Sequence, residues 1–134
     1  MRLAQQTGVD IRLQLIVHHG RRASRSPSDQ VLAHDAGNPQ ITVILSGMPA
    51  GDDYDLAAYF ICGSGGDSGN CTAGTADNMI GRGCVSATMG SGTETVGMGT
   101  ECSGTDDGGT LLIHITARTF GGSCGNYTPE IDVH

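Results

Sequence analysis

The feature that most constrains the fold of this chain is a series of short apolar runs separated by turns rich in glycine and proline. Predicted strands lie at residues 9–18, 31–33, 41–45, 54–62, 93–102, 110–119 and 127–133. Polar and apolar residues alternate in the runs at 9–18, 93–102 and 110–119, and the run at 41–45 is rich in β-branched residues. Alternation with a period of two is typical of β-strands, and no segment shows a helical repeat with caps. The sequence therefore predicts an all-β fold, an antiparallel β-sandwich of about seven or eight strands.

Residues 63–92 interrupt this pattern with nine glycines spread among Ser, Thr, Asp and Asn. No period survives there, so the sequence predicts a long, irregular, Gly-rich loop. Loops of that length are usually functional or cross-linked, and Cys62, Cys71 and Cys84 are placed to tie this one down. Residues 20–30 are polar and broken by Gly20 and Pro27, which predicts a second, shorter loop.

The five cysteines predict a disulfide framework. They are Cys62, Cys71, Cys84, Cys102 and Cys124. None forms a CxxC pair, and no Cys/His cluster has the spacing of zinc ligands. Five cysteines allow two bridges and one free thiol, with the pairing left open. Because disulfides persist in oxidising compartments, we expect an exported protein that is extracellular or attached to the cell surface.

The charge divides the chain into a basic beginning and an acidic body. Residues 1–25 carry five of the seven Arg against one Asp, a net charge of +4, whereas the remainder carries two Arg and thirteen acidic residues, a net −11. We therefore separate a basic N-terminal segment, residues 1–38, with one or two strands, from a sandwich core, residues 39–134. An acidic body argues against nucleic acid as a partner. The composition also excludes a transmembrane protein.

Three carboxylates beside a turn, Asp52, Asp53 and Asp55, are the candidate metal ligands. Calcium takes six to eight oxygen ligands, and closely spaced carboxylates on a loop are suited to supply some of them. The alternative is structural, with Asp52 and Asp53 forming an Asx-type turn and Asp55 capping or pairing at the start of the strand. Asn70 and Asn126 fit the acceptor pattern for N-glycosylation.

A short string at residues 66–69, Gly-Asp-Ser-Gly, copies the surroundings of the nucleophile in chymotrypsin-like proteases. Ser68 would need a His base and a buried Asp that orients it, in a far longer chain. The string lies in low-complexity sequence, where chance matches are common, and a motif counts only in its structural context. The sequence predicts no enzyme.

The order of motifs along the core resembles a known family. Residues 41–62, ITVILSGMPAGDDYDLAAYFIC, lead through a Pro/Gly turn into an Asp-Tyr-Asp-Leu strand that reaches Tyr59. Residues 105–117, TDDGGTLLIHITA, contain a Gly-Thr-aliphatic strand, and the last strand begins Tyr127-Thr128. Over about residues 39–134 these motifs resemble the bacterial pre-peptidase C-terminal (PPC) domain, in its cysteine-containing form from secreted bacterial proteins. The chain departs from that family in having no Trp.

The resemblance implies a jelly-roll-like sandwich that accompanies exported enzymes and helps their export or their attachment to substrates. Some members bind calcium, or insoluble polymers such as collagen or polysaccharide. On this basis we expect a non-catalytic accessory or binding module of a secreted or cell-surface bacterial protein. Its partner would be a surface polymer or the parent exported protein.

A structural subunit that assembles with copies of itself is the alternative function. The basic segment contains a detached strand pattern at residues 11–17, which would complete the sheet of a neighbouring copy in an extracellular filament or layer. The same strand would otherwise pair within its own chain. Pro129 lies inside the closing strand and lacks a backbone donor, so we expect that strand to lie at a sheet edge or to bulge.

Overall fold

The structure is a computed structural model, and it describes residues 9–19, 22–25, 30–34, 40–62, 69–77, 82–100, 109–119, 121 and 127–133. Every regular element within these residues is a strand. The strands are β1 (Val9–His19), β2 (Arg22–Arg25), β3 (Gln30–His34), β4 (Gln40–Ser46), β5 (Asp53–Cys62), β6 (Gly69–Ala73), β7 (Thr75–Asp77), β8 (Arg82–Ser86), β9 (Glu94–Thr100), β10 (Gly109–Thr119) and β11 (Thr128–Val133).

Two sheets form the predicted β-sandwich. The smaller sheet has the order β11-β4-β9-β6; the larger has the order β2-β1-β10-β5-β8-β7, with β3 also paired to β1. Strands β4 to β11 pair from the outside inward, because β4 pairs with β11, β5 with β10, β6 with β9 and β7 with β8. This is the folded-over long hairpin of a jelly roll, the arrangement that the family resemblance implies.

The main apolar core of the described residues lies between the two sheets. Its largest fully buried side chains are Ile41, Val43 and Leu45 of β4, Leu56 and Phe60 of β5, Val96 of β9, and Leu111, Ile113 and Ile115 of β10. Along β4 every second residue is buried, because successive side chains of a strand point to opposite faces. A second, smaller cluster, formed by Ala57, Tyr59 and Leu112, lies on the outer face of the larger sheet.

Strand β1 departs from the expected antiparallel arrangement. It lies parallel to β10, with Ile11 opposite Gly109 and each later residue in step as far as His18 opposite Thr116. The other strand pairs are antiparallel. Eight strands separate β1 from β10 in the chain, so no hairpin dictates their relative direction.

Two regions predicted as loops contain strands. The Gly-rich excursion at residues 63–92 includes β6, β7 and β8, and the predicted loop at residues 20–30 includes β2. Glycine and small polar residues hide the period of two, and these strands are defined by their neighbours: β6 pairs with β9, and β8 with β5. Tertiary pairing therefore supplies what local propensity does not.

Strand β11, which contains Pro129, lies at an edge of the smaller sheet. β11 has β4 as its sheet neighbour and forms one edge of the smaller sheet. Pro129 stands opposite Leu45 in this pairing. Because an edge strand needs backbone donors on one side alone, the missing donor is tolerated there. The prediction of an edge position is confirmed.

Gly83 illustrates how closely the outer cluster packs. It lies opposite Tyr59 on neighbouring strands, and a Cβ at Gly83 would overlap the Tyr59 ring and lie 2.6 Å from the carbonyl oxygen of Ala58. We expect Gly83→Ala to lower the free energy of unfolding by about 1–2 kcal/mol, as overpacked sites do. Urea denaturation measures this change.

Gly92→Ala is the matched control for that substitution. A Cβ at Gly92 meets Thr88 Cγ2 at an ordinary 3.9 Å, and its backbone is outside the left-handed region. We expect the control to change the free energy of unfolding by less than about 0.5 kcal/mol. Equal urea midpoints for the two variants would contradict the packing of Tyr59 over Gly83.

Candidate functional site

The three predicted carboxylates follow a tight turn between β4 and β5. Gly47 and Gly51 both have positive φ, at 73° and 90°, a conformation that glycine adopts without strain. The Asp52 amide donates a hydrogen bond to the Pro49 carbonyl oxygen at 3.1 Å, which closes the turn. This geometry delivers Asp52 to the sandwich interior and starts β5 at Asp53.

Asp52 connects two loops at this end of the sandwich. Its side chain is 1% exposed, and the Gly121 amide, beyond the end of β10, donates a hydrogen bond to its Oδ1 at 2.7 Å. Its Oδ2 is buried and has no hydrogen-bond partner among the residues that the structure describes. The carboxylate therefore joins the β4–β5 turn to the chain that follows β10.

Asp53 and Asp55 stand two residues apart on β5 and so share the outer face of the larger sheet. Arg118 donates from its Nε to Asp55 Oδ2, forming an ion pair with a carboxylate that is largely buried. The Arg118 side chain is 64% exposed, so water screens the pair and its contribution to stability is small. Asp53 Oδ1 is buried and lacks a partner within the described part of the chain.

The calcium prediction gains no support from this arrangement. Asp52 faces one way and is held by Gly121, whereas Asp55 faces the other way and is held by Arg118. Across the residues with described positions, no three His, Cys, Asp or Glu side chains come together as a metal site. The structural alternative explains Asp52 as a turn residue and Asp55 as a paired one, and calcium binding stays a prediction.

Two tyrosines pack beside Asp52. The rings of Tyr54 and Tyr127 have centroids 5.3 Å apart and are tilted by 53°. Burial, followed by the nearby Asp52 carboxylate, raises the pKa of Tyr54 above its ordinary value. Burial, followed by Tyr54, raises the pKa of Tyr127 in the same direction. Both phenols therefore stay neutral at physiological pH, and they help to close this end of the sandwich.

A disulfide joins the two sheets. Cys71 of β6, in the smaller sheet, is bonded to Cys84 of β8, in the larger sheet, with Cα atoms 5.6 Å apart. Cys84 is 1% exposed, so the bond reaches into the core. Cys62, also buried in the core, takes part in a disulfide as well. The prediction that disulfides tie down the Gly-rich excursion is confirmed at Cys71 and Cys84.

The remaining predicted sites are placed only in part. Asn70 lies exposed on β6, at an edge of the smaller sheet, where it is accessible to a modifying enzyme. Asn126, Ser68, Cys102 and Cys124 lie outside the described residues. Glycosylation at either asparagine stays a prediction.

The outer face of the smaller sheet is mainly polar, with the half-buried Ile44 standing between Glu130 and Thr95. A row of register partners crosses it from Asn70 through Gly99 to Gln40, and a parallel row runs from Gly97 through Thr42 to Asp132. A Cβ at Gly99 would lie 2.9 Å from Gln40 Nε2, and one at Gly97 would lie 2.7 Å from Thr72 Oγ1. Because Gly97 and Gly99 have no Cβ, the Thr72 hydroxyl and the Gln40 amide can pack directly against the backbone of β9. We call this surface, comprising Gln40, Thr42, Asn70, Thr72, Glu130 and Asp132, the polar face.

The outer face of the larger sheet carries a polar contact that sequence reasoning missed. The Tyr59 hydroxyl donates a hydrogen bond to Asp77 Oδ2 at 2.7 Å, linking β5 to β7 at the sheet edge. Burial, the hydrogen bond and the charge of Asp77, in that order, raise the pKa of Tyr59 to about 12. No local pattern connects the two residues, because 18 positions separate them in the chain.

This shift makes the fold sensitive to alkali. A pKa near 12 in the folded state, against about 10 for free tyrosine, means that neutral Tyr59 stabilises the fold below pH 10. That contribution is lost as the pH rises from 10 through 12. We expect the stability advantage of the native chain over Tyr59→Phe to shrink by about 1 kcal/mol between pH 9 and pH 11. Urea denaturation of both proteins measures the difference, and an advantage that stays constant over this range would contradict the shift.

Glu94 is a second residue that the sequence reading passed over. It is fully buried, and it accepts hydrogen bonds from the Ser86 hydroxyl and, at 2.9 Å, from the Thr88 amide. Its carboxylate thereby anchors both sides of the connection from β8 to β9. Its burial could have been predicted from the alternation of β9. Glu94, Val96 and Met98 are spaced by two residues and so lie on the same side of the strand, which faces the core.

Comparison with known proteins does not assign this chain to a family. No protein-family model and no curated protein sequence matches the chain. Among the described residues, no helix has the length and apolarity needed to cross a membrane.

Proposed function

We propose that this chain is a non-catalytic module of a secreted or cell-surface bacterial protein, and that it attaches that protein to an insoluble extracellular polymer. The observation that carries the proposal is the polar face, which lies on the four-stranded sheet opposite the core. The resemblance of the core to the PPC domain supports the same class of function. The partner is a hydroxylated or amide-rich polymer, such as polysaccharide or collagen.

The sandwich supports an extracellular location through its cross-link. A bond between Cys71 and Cys84 joins the two sheets, which also meet through apolar packing and through the hydrogen bond from Ser86 to Glu94. Such bonds persist outside the cytoplasm, where thiols are not kept reduced. A small domain with few aromatic residues gains stability from a staple of this kind.

The chemistry of the polar face suits an insoluble polymer. Exposed groups include the amides of Gln40 and Asn70, the hydroxyl of Thr72 and the carboxylates of Glu130 and Asp132. These groups supply hydrogen-bond donors and acceptors on one face of the sheet, which suits the repeating polar groups of a polymer surface. Many weak contacts of this sort add up when the polymer repeats.

Co-sedimentation of the full chain with insoluble polymers tests the proposal. Chitin, cellulose, peptidoglycan sacculi and collagen fibrils are the probes, and serum albumin measures non-specific retention. We expect retention on at least one polymer, and a loss of about tenfold in affinity when Gln40 and Asn70 are both replaced by Ala.

A double variant on another surface is the matched control. Met89 and Thr93 are exposed on the connection between β8 and β9, so Met89→Ala with Thr93→Ala removes comparable side chains away from the polar face. We expect this control to bind like the native chain. Retention no better than that of albumin on every polymer, or equal losses in both double variants, would overturn the proposal.

A further inference from the structure

We propose that Cys62 and Cys102 form a second disulfide across the core, and that Cys124 keeps its thiol. This second cross-link concerns the covalent framework of the sandwich and does not depend on attachment to a polymer. Cys62 is disulfide-bonded, whereas Cys71 and Cys84 are bonded to each other. The partner of Cys62 is therefore Cys102 or Cys124, which both lie outside the described residues. The described residues beside each of them decide between the two.

The bond between Cys71 and Cys84 fixes how β5 and β9 face each other across the core. Cys71 stands opposite Met98 of β9, and Cys84 stands opposite Ala58 of β5. Because the Cα atoms of the two cysteines are 5.6 Å apart, Met98 and Ala58 lie at the same level of the sandwich. The Cys84 sulfur lies 3.2 Å from the carbonyl oxygen of Gly97, the residue before Met98, which agrees with this alignment.

The two facing strands, β5 and β9, run in the same direction. Ser86 of β8 stands opposite Leu56, near the start of β5. The Ser86 hydroxyl donates a hydrogen bond to Glu94, which is the first residue of β9. Both strands therefore begin at the same end of the sandwich and run toward the other end, where Cys62 is the last residue of β5.

Equal counts along these two strands bring Cys102 to the level of Cys62. Cys62 lies four residues beyond Ala58, and Cys102 lies four residues beyond Met98. Because each residue of a strand advances by about 3.3 Å, equal counts cover equal distances. Cys62 is buried in the core, and Cys102 is the next position in the series of every second residue that is buried as far as Thr100. Chain length alone keeps Cys102 within about 7 Å of Thr100.

Chain length holds Cys124 at the opposite end of the sandwich. It is three positions from Gly121, whose amide donates a hydrogen bond to Asp52 Oδ1 at 2.7 Å, just before β5 begins. Three residues of extended chain span at most about 11 Å. The ten residues of β5, from Asp53 to Cys62, span about 30 Å. Because the Cα atoms of a disulfide lie within about 7 Å of each other, Cys124 cannot reach Cys62.

The second bond would enclose the first. Cys71 and Cys84 lie between Cys62 and Cys102 in the chain, so the two bonds together hold β6, β7, β8 and β9 within a covalent ring. That ring includes the Gly-rich excursion, whose strands have no alternation of their own. Forming the second bond removes two electrons and two protons from the two thiols, and exchange with a protein disulfide, which becomes a dithiol, takes them up.

Tryptic mapping of the unreduced full chain tests the proposal. The chain has no Lys, and cleavage after its Arg residues places the cysteines on three peptides: 26–82 with Cys62 and Cys71, 83–118 with Cys84 and Cys102, and 119–134 with Cys124. The chain is unfolded in urea with N-ethylmaleimide and without reductant, digested, and analysed by mass spectrometry. We expect peptides 26–82 and 83–118 to stay joined by two disulfides. Peptide 119–134 should be released on its own, carrying one N-ethylmaleimide group.

Two variants sharpen the assignment. With Cys71→Ala and Cys84→Ala together, peptides 26–82 and 83–118 should stay joined, now through Cys62 and Cys102 alone. Cys124→Ala is the matched control, which should keep both bonds and take up no N-ethylmaleimide. If peptide 119–134 stays linked to peptide 26–82 and the label is on Cys102, the partner of Cys62 is Cys124 and the proposal is overturned. Label on both Cys62 and Cys102 would mean that the second bond is absent, which overturns the proposal equally.

Discussion

Replacing Cys71 and Cys84 together by Ala is expected to lower the free energy of unfolding by about 3 kcal/mol, the loss that follows from opening a loop of this size. The bond closes 13 positions of sequence and ties β6 of one sheet to β8 of the other. For a chain of this length, the melting temperature should fall by roughly 10 °C or more. Thermal unfolding followed by circular dichroism, with urea denaturation for the free energy, measures both quantities.

Chemical reduction provides the control for this prediction. The native chain treated with dithiothreitol should approach the double variant or fall below it, because Cys62 belongs to a disulfide that reduction also breaks. The oxidised double variant should retain the spectrum of a β-sheet protein. An unchanged melting temperature in the double variant would show that the cross-link between the sheets does not stabilise the fold.

Replacing Glu94 by Ala is expected to lower the free energy of unfolding by about 2–4 kcal/mol. The substitution leaves a cavity at a fully buried position and removes the acceptor for the Ser86 hydroxyl and the Thr88 amide. The connection from β8 to β9 should also open more often. Urea denaturation measures the first effect, and the rate of proteolysis at residues 87–93 measures the second.

Two substitutions bracket this effect. Glu94→Gln keeps the shape and one carbonyl acceptor, so we expect it to cost about 1 kcal/mol. Glu130→Ala removes an exposed carboxylate from β11 and should change the free energy of unfolding by less than about 0.5 kcal/mol. If Glu94→Ala were as mild as Glu130→Ala, the anchoring role of Glu94 would be refuted.

The strands with strong alternation were predictable from the sequence. β4 and β10 carry aliphatic residues at every second position, β5 carries mainly aromatic and small apolar ones, and these residues fill the core. β6, β7 and β8 were not, because glycine and small polar residues give them no period of their own. Their pairing with β9 and β5 depends on residues far away in the chain, which local pattern does not encode.

Some of the polar contacts could likewise be predicted from the sequence, and others could not. The turn before β5 was predictable from Pro49, Gly51 and Asp52, and the structure places Asp52 in a turn closed by its own amide. The hydrogen bond from Tyr59 to Asp77 could not be predicted, since it depends on the order of strands in the sheet. The parallel direction of β1 was equally hidden, because alternation predicts a strand but not its neighbour.

The outside-in pairing of the sandwich affects how the chain acquires its structure. β4 pairs with β11, the last of the described strands along the chain. Of the four nested pairs, β7 and β8 are the closest in sequence. Contacts so distant in sequence make folding slow. A nascent chain therefore completes its four-stranded sheet only after β11 has been made, and until then β4 presents an unpaired edge beside its pairing with β9.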